Sequence, residues 1–142
     1  MSDGAPEGFE LFTRPSPLMN PWRPLYAQKR ADRMVLGVRL REPHTNSRAT
    51  AHGGLIAALV DQAMGMSCGL RLQADGVAVG NLWTTSLAID YLGVANVGQW
   101  LTFDTTYTRI GRTACYAECD VTADGETIAR ARGSFRVSPA KA

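Results

Sequence analysis

The segment from His52 to Leu70 contains the residues whose types and spacing best suit chemistry. Between 55 and 70, Asp61 is the only ionisable residue apart from Cys68. A carboxylate in an apolar segment needs a partner, a ligand or a wet cavity, because burial alone is costly. No Lys or Arg lies within four residues of Asp61. Another surface of the fold, or a ligand, must therefore meet Asp61.

His52, Gly53 and Gly54 stand where a helix should begin. Free backbone N–H groups at a helix N-terminus, together with the helix dipole, suit an anion or a developing oxyanion. The two glycines could instead serve only a tight turn. For His52 the sequence favours a supporting role, as a helix cap or loop brace, over direct catalysis.

The elements that must position these residues follow from hydrophobic periodicity. Residues 55–70 are apolar on nearly every side of a helix, which is typical of a buried helix. The segment is too short and interrupted for a membrane span of about 20 apolar residues. Alternation predicts five strands, at 33–41, 81–94, 99–110, 113–123 and 126–137. Trp83, Leu87, Ile89 and Tyr91 are expected on one face, as are Leu101, Phe103, Thr105 and Tyr107.

One helix cannot cover both faces of a five-stranded sheet, and the strands leave an edge that needs protection. We therefore expect a symmetric dimer in which the sheet continues into a second copy. Five of the seven prolines fall between residues 1 and 24, so we expect an irregular arm there, with one short turn near residues 9–14. The arm is expected to pack onto a single domain at 25–138. Residues 139–142 are expected to form a frayed tail.

Composition narrows the functional classes. A net charge of +2 is too small to argue for nucleic acid. Between Leu11 and Thr50 there are eight basic and two acidic residues, which suits either a phosphate-bearing ligand or a solvated basic surface. Cys68, Cys115 and Cys119 are odd in number and lack metal-ligand spacing, so we expect reduced thiols, no metal site and a cytoplasmic location.

The pattern resembles the signature of the hotdog-fold acyl-CoA thioesterases, in the PaaI-like branch related to phenylacetyl-CoA and 4-hydroxybenzoyl-CoA thioesterases. Asn46 lies six residues before His52, Asp61 lies nine after it, and an R-x-G-R turn occupies 109–112. The likeness covers most of residues 24–137. Ala49 stands where the family usually has glycine, and Gly93-Val94 where it often has Arg-Pro. These departures bear on the substrate more than on the reaction.

The resemblance implies an α+β hotdog fold, in which an antiparallel sheet wraps around one long central helix. It further implies homodimers, or dimers of dimers, with active sites across the interface. The partners are then acyl-CoA and a second copy, without nucleic acid, membrane or cofactor, CoA being part of the substrate. Hydrolysis of the thioester would release a free acid and CoA.

The resemblance also assigns roles to residues. Gly53 N–H would polarise the thioester carbonyl, and Asp61 of the opposite subunit would be nucleophile or general base. Asn46 would orient the attacking group, and Thr84 would hold water, although an ordinary strand threonine is as good an interpretation. The resemblance also places His52 among the catalytic residues. The substrate-binding set is Gly54, Arg48, Arg109 and Arg112, of which the last two could equally be solvated turn residues.

Two other functions stay open at this point. A hotdog hydratase or dehydratase would place a histidine with an acid, but nine residues separate His52 from Asp61. A non-catalytic acyl-CoA-binding module is the other. Several alternatives stay open from sequence: the identity of the acyl group, and whether Asp61 acts as nucleophile or general base. The same holds for dimer or tetramer as the oligomeric state, for the Arg residues that contact CoA, and for the arm as a lining of the acyl tunnel.

Overall fold

Seven antiparallel strands form one sheet that packs along one side of a long α-helix. The computed structural model describes residues 4–139. In chain order the elements are β1 (Glu10–Leu11), β2 (Tyr26–Lys29), β3 (Met34–Arg39), α1 (Gly53–Ala74), β4 (Val79–Tyr91), β5 (Trp100–Ile110), β6 (Ala114–Ala123) and β7 (Glu126–Pro139). Short 3-10 helices lie at Asn20–Trp22 and Glu42–His44. The strand order is β1-β2-β3-β5-β6-β7-β4. The predicted antiparallel sheet around one long helix is confirmed.

Helix α1 is longer than predicted, because it continues past Leu70 to Ala74 and buries Leu72. At 22 residues it is long and apolar enough, by length and composition, to cross a membrane, so the length argument against a span was wrong. In the structure its buried side chains, such as Leu59 and Met64, pack into the core with Phe103. The opposite face is only half-buried, because the sheet covers one side of the helix.

The sheet has two strands that the sequence did not predict. Strand β2 pairs with β3, and the two-residue β1 pairs with β2 through Glu10 and Leu11. Both strands are too short to show an alternating pattern, and their pairing depends on β3. The predicted turn near residues 9–14 is wrong, since β1 lies there. Strand β7 runs to Pro139, two residues beyond its predicted end, and 140–142 lie outside the described residues.

Two β-bulges reverse the side-chain alternation within strands. In β4 the register shifts between Thr84 and Ser86, so Trp83 lies on the outer face whereas Leu87 and Tyr91 face the helix. In β5 a shift between Thr105 and Tyr107 places Tyr107 on the outer face, 47% exposed. The prediction that Trp83 shares a face with Leu87, Ile89 and Tyr91 is therefore wrong. So is the prediction that Tyr107 shares a face with Leu101, Phe103 and Thr105.

Strand β4 is a sheet edge that exposes apolar side chains. It pairs only with β7, and its other side has no partner strand within residues 4–139. Tyr91 and the following Leu92 are 51% and 62% exposed, and Val94 is exposed as well. A 13-residue edge with exposed apolar residues is a surface that proteins ordinarily cover.

Candidate active site

Asp61 and Thr84 form the centre of the site. Asp61 lies in the third turn of α1, beside edge strand β4, and is half-buried. Thr84 lies just before the β4 bulge, so its side chain points to the helix, and its hydroxyl donates to Asp61 Oδ1 at 2.6 Å. Among residues 4–139, no Lys or Arg forms an ion pair with Asp61. The carboxylate therefore keeps an oxygen and its charge available.

A cleft of about 630 Å³ contains this pair. It follows the uncovered face of α1 past Gly65 and Gly69 and includes the inner face of β4. Arg14 of the arm and Lys29 of β2 bring positive charge to the same cleft, and neither forms an ion pair within the described chain. The cleft thus combines a carboxylate, two cations and apolar side chains. The sequence indicated only a basic stretch at 11–50 and did not single out Arg14 or Lys29, because tertiary packing decides which of its cations reach the cleft.

His52 caps the helix at the other end of the site. Its extended backbone precedes the first helical residue, and its Nδ1 accepts a hydrogen bond from the Gly54 N–H at 2.8 Å. The N–H of Gly54 is therefore occupied and is not offered to a ligand. The Gly53 N–H donates to no acceptor within residues 4–139. It is left as a free donor at the positive end of the helix.

Tyr91 is a neighbour of this donor that the sequence analysis assigned only to an apolar face. Its hydroxyl donates to the Gly53 carbonyl oxygen at 2.7 Å. Burial of the hydroxyl raises the pKa of Tyr91, so the phenol stays protonated and remains a donor at neutral pH. The contact ties edge strand β4 to the first turn of the helix.

Asn46 organises the loop that leads to the helix. Its Oδ1 accepts from the N–H groups of Arg48 and Thr50, and its Nδ2 donates to Thr50 Oγ1 at 3.0 Å. Ala49 has φ +61°, in the left-handed region that favours glycine, which accounts for the glycine usual at this place. Within residues 4–139, no hydrogen bond joins Asn46 to Asp61. In one chain its role is to shape the loop.

The helix keeps the free donor and the carboxylate apart within one chain. Gly53 and Asp61 are eight residues apart, which corresponds to about 12 Å along the helix axis. Groups that act on one carbonyl must both lie about 3–3.5 Å from the reacting atoms. Within a single chain, the Gly53 N–H and the Asp61 carboxylate therefore cannot both reach one carbonyl group.

The predicted arginines lie away from the cleft. Arg109 is on the outer face of β5, opposite Tyr116, and Arg112 is in the turn that follows. Arg48 is exposed in the loop before the helix. The structure brings none of the three to Asp61 within one chain.

The cysteines are unsuited to nucleophilic chemistry, because all three are buried and free. Burial raises the pKa of Cys68 to about 12 and raises that of Cys119 as well, so both thiols stay protonated. Within residues 4–139, no three His, Cys, Asp or Glu side chains are grouped so as to hold a metal ion.

Comparison with known proteins shows what this fold and cleft are similar to. The model of the thioesterase superfamily matches residues 49–129. A relative from Pseudomonas aeruginosa named "Putative esterase PA0474" is 32% identical, over 93% of this chain and 96% of its own. Mouse acyl-coenzyme A thioesterase 13 is 31% identical, over 71% and 70% of the two chains. A solved mutant of the phenylacetic acid degradation protein PaaI of Thermus thermophilus superposes with a TM-score of 0.72 at 21% identity, covering 85% and 98%.

The chain belongs to the thioesterase superfamily, and its fold is the hotdog fold of the PaaI-like thioesterases. The predicted resemblance is confirmed, and so is the enzyme class, thioester hydrolase.

Proposed function

We propose that the protein hydrolyses the thioester of an acyl-CoA to a free acid and CoA. The observation that carries the proposal is Asp61, half-buried in a large cleft, without an ion pair and held by the Thr84 hydroxyl. A relative named as an acyl-coenzyme A thioesterase, 31% identical, supports CoA as the thiol. The free, buried cysteines suit the reducing cytoplasm, where we place the reaction, without a metal or other cofactor.

The working unit is a homodimer. Because one helix separates Gly53 from Asp61 by about 12 Å, the donor of one copy must meet the carboxylate of the other. In a two-fold pair, if Gly53 faces the second copy's Asp61, then Asp61 faces the second copy's Gly53, and both sites form together. The residue midway between them is Ala57, whose small side chain allows the two helices to approach closely at the axis. The exposed edge of β4 supplies the surface for this pairing.

In this dimer the thioester carbonyl oxygen accepts from the Gly53 N–H of one copy. Asp61 of the other copy takes a proton from water, whose oxygen attacks the carbonyl carbon, and the Gly53 N–H stabilises the resulting oxyanion. The intermediate collapses by breaking the C–S bond, and the leaving thiolate takes the proton from Asp61. Thr84 occupies Oδ1 of the carboxylate and leaves Oδ2 to the water. Asn46 holds the loop in front of the donor, and His52 holds the Gly54 amide.

A second route gives the same products. Asp61 attacks the carbonyl carbon itself and expels the CoA thiolate, and water then hydrolyses the mixed anhydride. Heavy oxygen that enters the Asp61 carboxylate during a single turnover in labelled water identifies this route.

Assays of thiol release from a panel of aryl and aliphatic acyl-CoAs test the proposed function. Asp61→Asn should lower kcat roughly a hundred-fold or more. Asp75→Asn is the matched control, because Asp75 is an exposed carboxylate at the C-terminus of the same helix. Equal rates for wild type and Asp61→Asn would remove Asp61 from the mechanism. Tight binding of CoA esters without turnover would replace the enzyme by a binding module, and water addition to an enoyl-CoA would replace it by a hydratase.

Mixed dimers test the shared site directly. Gly53→Pro removes only the proposed donor, since proline is well tolerated at the first helical position and His52 already has the extended backbone that precedes proline. Gly53→Pro and Asp61→Asn should each be inactive alone. Random mixing should restore about a quarter of wild-type activity, because half of the dimers then hold one intact site of two. No recovery from a confirmed mixed dimer would contradict a site shared between subunits.

A further inference from the structure

A second pocket, of about 310 Å³, lies at the first turns of α1, beside the free Gly53 donor. Leu18 and Trp22 of the N-terminal arm form one wall, and Leu55 and Ala58 of the helix form the other. Pro43 adds a further apolar surface. In contrast to the Asp61 cleft, this pocket is lined by no Asp, Glu, Lys or Arg. Its chemistry suits an apolar group.

The arm wall is fastened in place by a chain of hydrogen bonds. His44 is fully buried, and its Nδ1 accepts from the Arg41 N–H at 2.8 Å, so its Nε2 carries the proton. That Nε2–H donates to the Trp22 carbonyl at 2.8 Å. The Arg41 guanidinium donates to the Arg23 carbonyl at 2.5 Å, and the Arg23 guanidinium donates to the Phe12 carbonyl at 2.5 Å. The wall is therefore a built part of the fold.

Helix geometry aligns this pocket with the catalytic residues. At about 100° per residue, Gly54, Ala58 and Asp61 lie within about 60° of one another on the helix. The pocket therefore lies on the uncovered face of α1, just before the Asp61 cleft along the axis. The N–H of Gly53 lies next to the pocket-lining Gly54, so a carbonyl group bound by Gly53 lies beside the pocket.

We propose that this pocket binds the acyl group of the substrate, and that Leu18 and Trp22 set its size limit. The inference rests on the proposed function and assigns its substrate class. A volume of about 310 Å³ is at the small end of ligand pockets, which favours compact apolar acyl groups, aromatic or short aliphatic, over long chains. The charged part of CoA then lies outside this pocket, because no cation lines it.

Specificity constants for acetyl-, hexanoyl-, phenylacetyl- and dodecanoyl-CoA test the assignment. Wild type should prefer phenylacetyl- and hexanoyl-CoA to dodecanoyl-CoA. Leu18→Ala and Trp22→Ala should raise the dodecanoyl-to-phenylacetyl ratio of kcat/KM about ten-fold, because they remove the limiting wall. Ala58→Leu should lower kcat/KM for phenylacetyl-CoA about ten-fold and spare acetyl-CoA, because the added side chain fills the pocket.

Leu11→Ala is the matched control for Leu18→Ala. Both leucines are in the arm and similarly exposed, at 62% and 66%, but Leu11 does not line the pocket. It should leave every ratio unchanged. Leu18→Ala also tests the same wall if Trp22→Ala fails to fold, because removing an exposed side chain costs little stability.

Unchanged ratios in folded Leu18→Ala and Ala58→Leu would overturn the pocket assignment while leaving the thioesterase proposal intact. If wild type hydrolysed no ester, the proposed function would fail, and calorimetry with the same four esters would still test the pocket. Weaker binding of phenylacetyl-CoA by Ala58→Leu, with acetyl-CoA unaffected, supports it, and equal affinities overturn it.

Discussion

The Tyr91 hydroxyl donates a 2.7 Å hydrogen bond to the Gly53 carbonyl oxygen and so joins edge strand β4 to the first turn of α1. The two residues are far apart in the sequence, and their contact orients the turn that carries the proposed oxyanion donor. Tyr91 is half-exposed, so the bond contributes more to positioning than to the core. It also links the site to the strand that we propose as the dimer edge.

Tyr91→Phe should lower kcat about ten-fold with little change in KM, because the amide that meets the transition state loses its support. The unfolding temperature should change little. Tyr107→Phe is the control, since Tyr107 has similar exposure on the outer face of the sheet. An unchanged kcat for Tyr91→Phe would show that the helix turn holds its geometry unaided.

Removing the Thr84 hydroxyl should also impair catalysis. Thr84→Val keeps the shape but deletes the donor to Asp61 Oδ1, and kcat should fall about ten-fold. Thr84→Ser retains a hydroxyl and should keep most of the activity. Steady-state kinetics of the two variants decide the point, and equal losses in both would attribute the effect to packing instead of the hydrogen bond.

Acid should destabilise the protein through His44. Desolvation lowers the pKa of this buried histidine below its ordinary value of 6.5, although the Trp22 carbonyl opposes the shift. The unfolded chain therefore binds the proton more readily, and the free energy of unfolding should fall as pH drops below 6.5 toward the folded-state pKa. Denaturant titrations between pH 7 and pH 5 measure this slope.

His44→Asn should flatten that slope, because the titrating group is gone. His52→Asn provides the comparison, since asparagine preserves a helix cap and leaves His44 in place. If His44→Asn retained the full wild-type slope, the acid sensitivity would have to come from other groups.

Ala49→Gly should stabilise the loop before the helix. Ala49 adopts φ +61°, a conformation that costs a non-glycine residue about 1 kcal/mol, whereas glycine adopts it freely. The larger entropy of glycine in the unfolded chain offsets part of the gain, so we expect an increase of up to about 1 kcal/mol in unfolding free energy. Ala57→Gly, within the helix, should instead destabilise by about 1 kcal/mol. A loss of stability in Ala49→Gly would contradict the assigned strain.

Much of the fold follows from local patterns. The predicted strands 81–94, 99–110 and 113–123 match β4, β5 and β6 to within three residues at each end. Alternation and turn residues are local properties, and neighbouring residues alone specify them. The helix was predicted for the same reason, although its last turn was missed because Arg71 and Gln73 interrupt the apolar run.

The bulges and the arm were not predictable in this way. A bulge at Thr85 depends on how β4 pairs with β7, so the strand's own pattern placed Trp83 on the wrong face. Strand β1 forms only because β2 offers unpaired backbone groups. Arg14 and Trp22 are held near their pockets because Arg23 donates to the Arg14 carbonyl and His44 donates to the Trp22 carbonyl.

The sequence by itself determined that one carboxylate would lie on an apolar helix behind a pair of glycines, because helical spacing is a local property of consecutive residues. Only the tertiary structure decided what surrounds that carboxylate. Thr84 reaches Asp61 across 23 positions and Tyr91 reaches Gly53 across 38, and both contacts arise when edge strand β4 packs beside the helix. Such contacts depend on the register of strands that are distant in the sequence, and no pattern within a single segment encodes them.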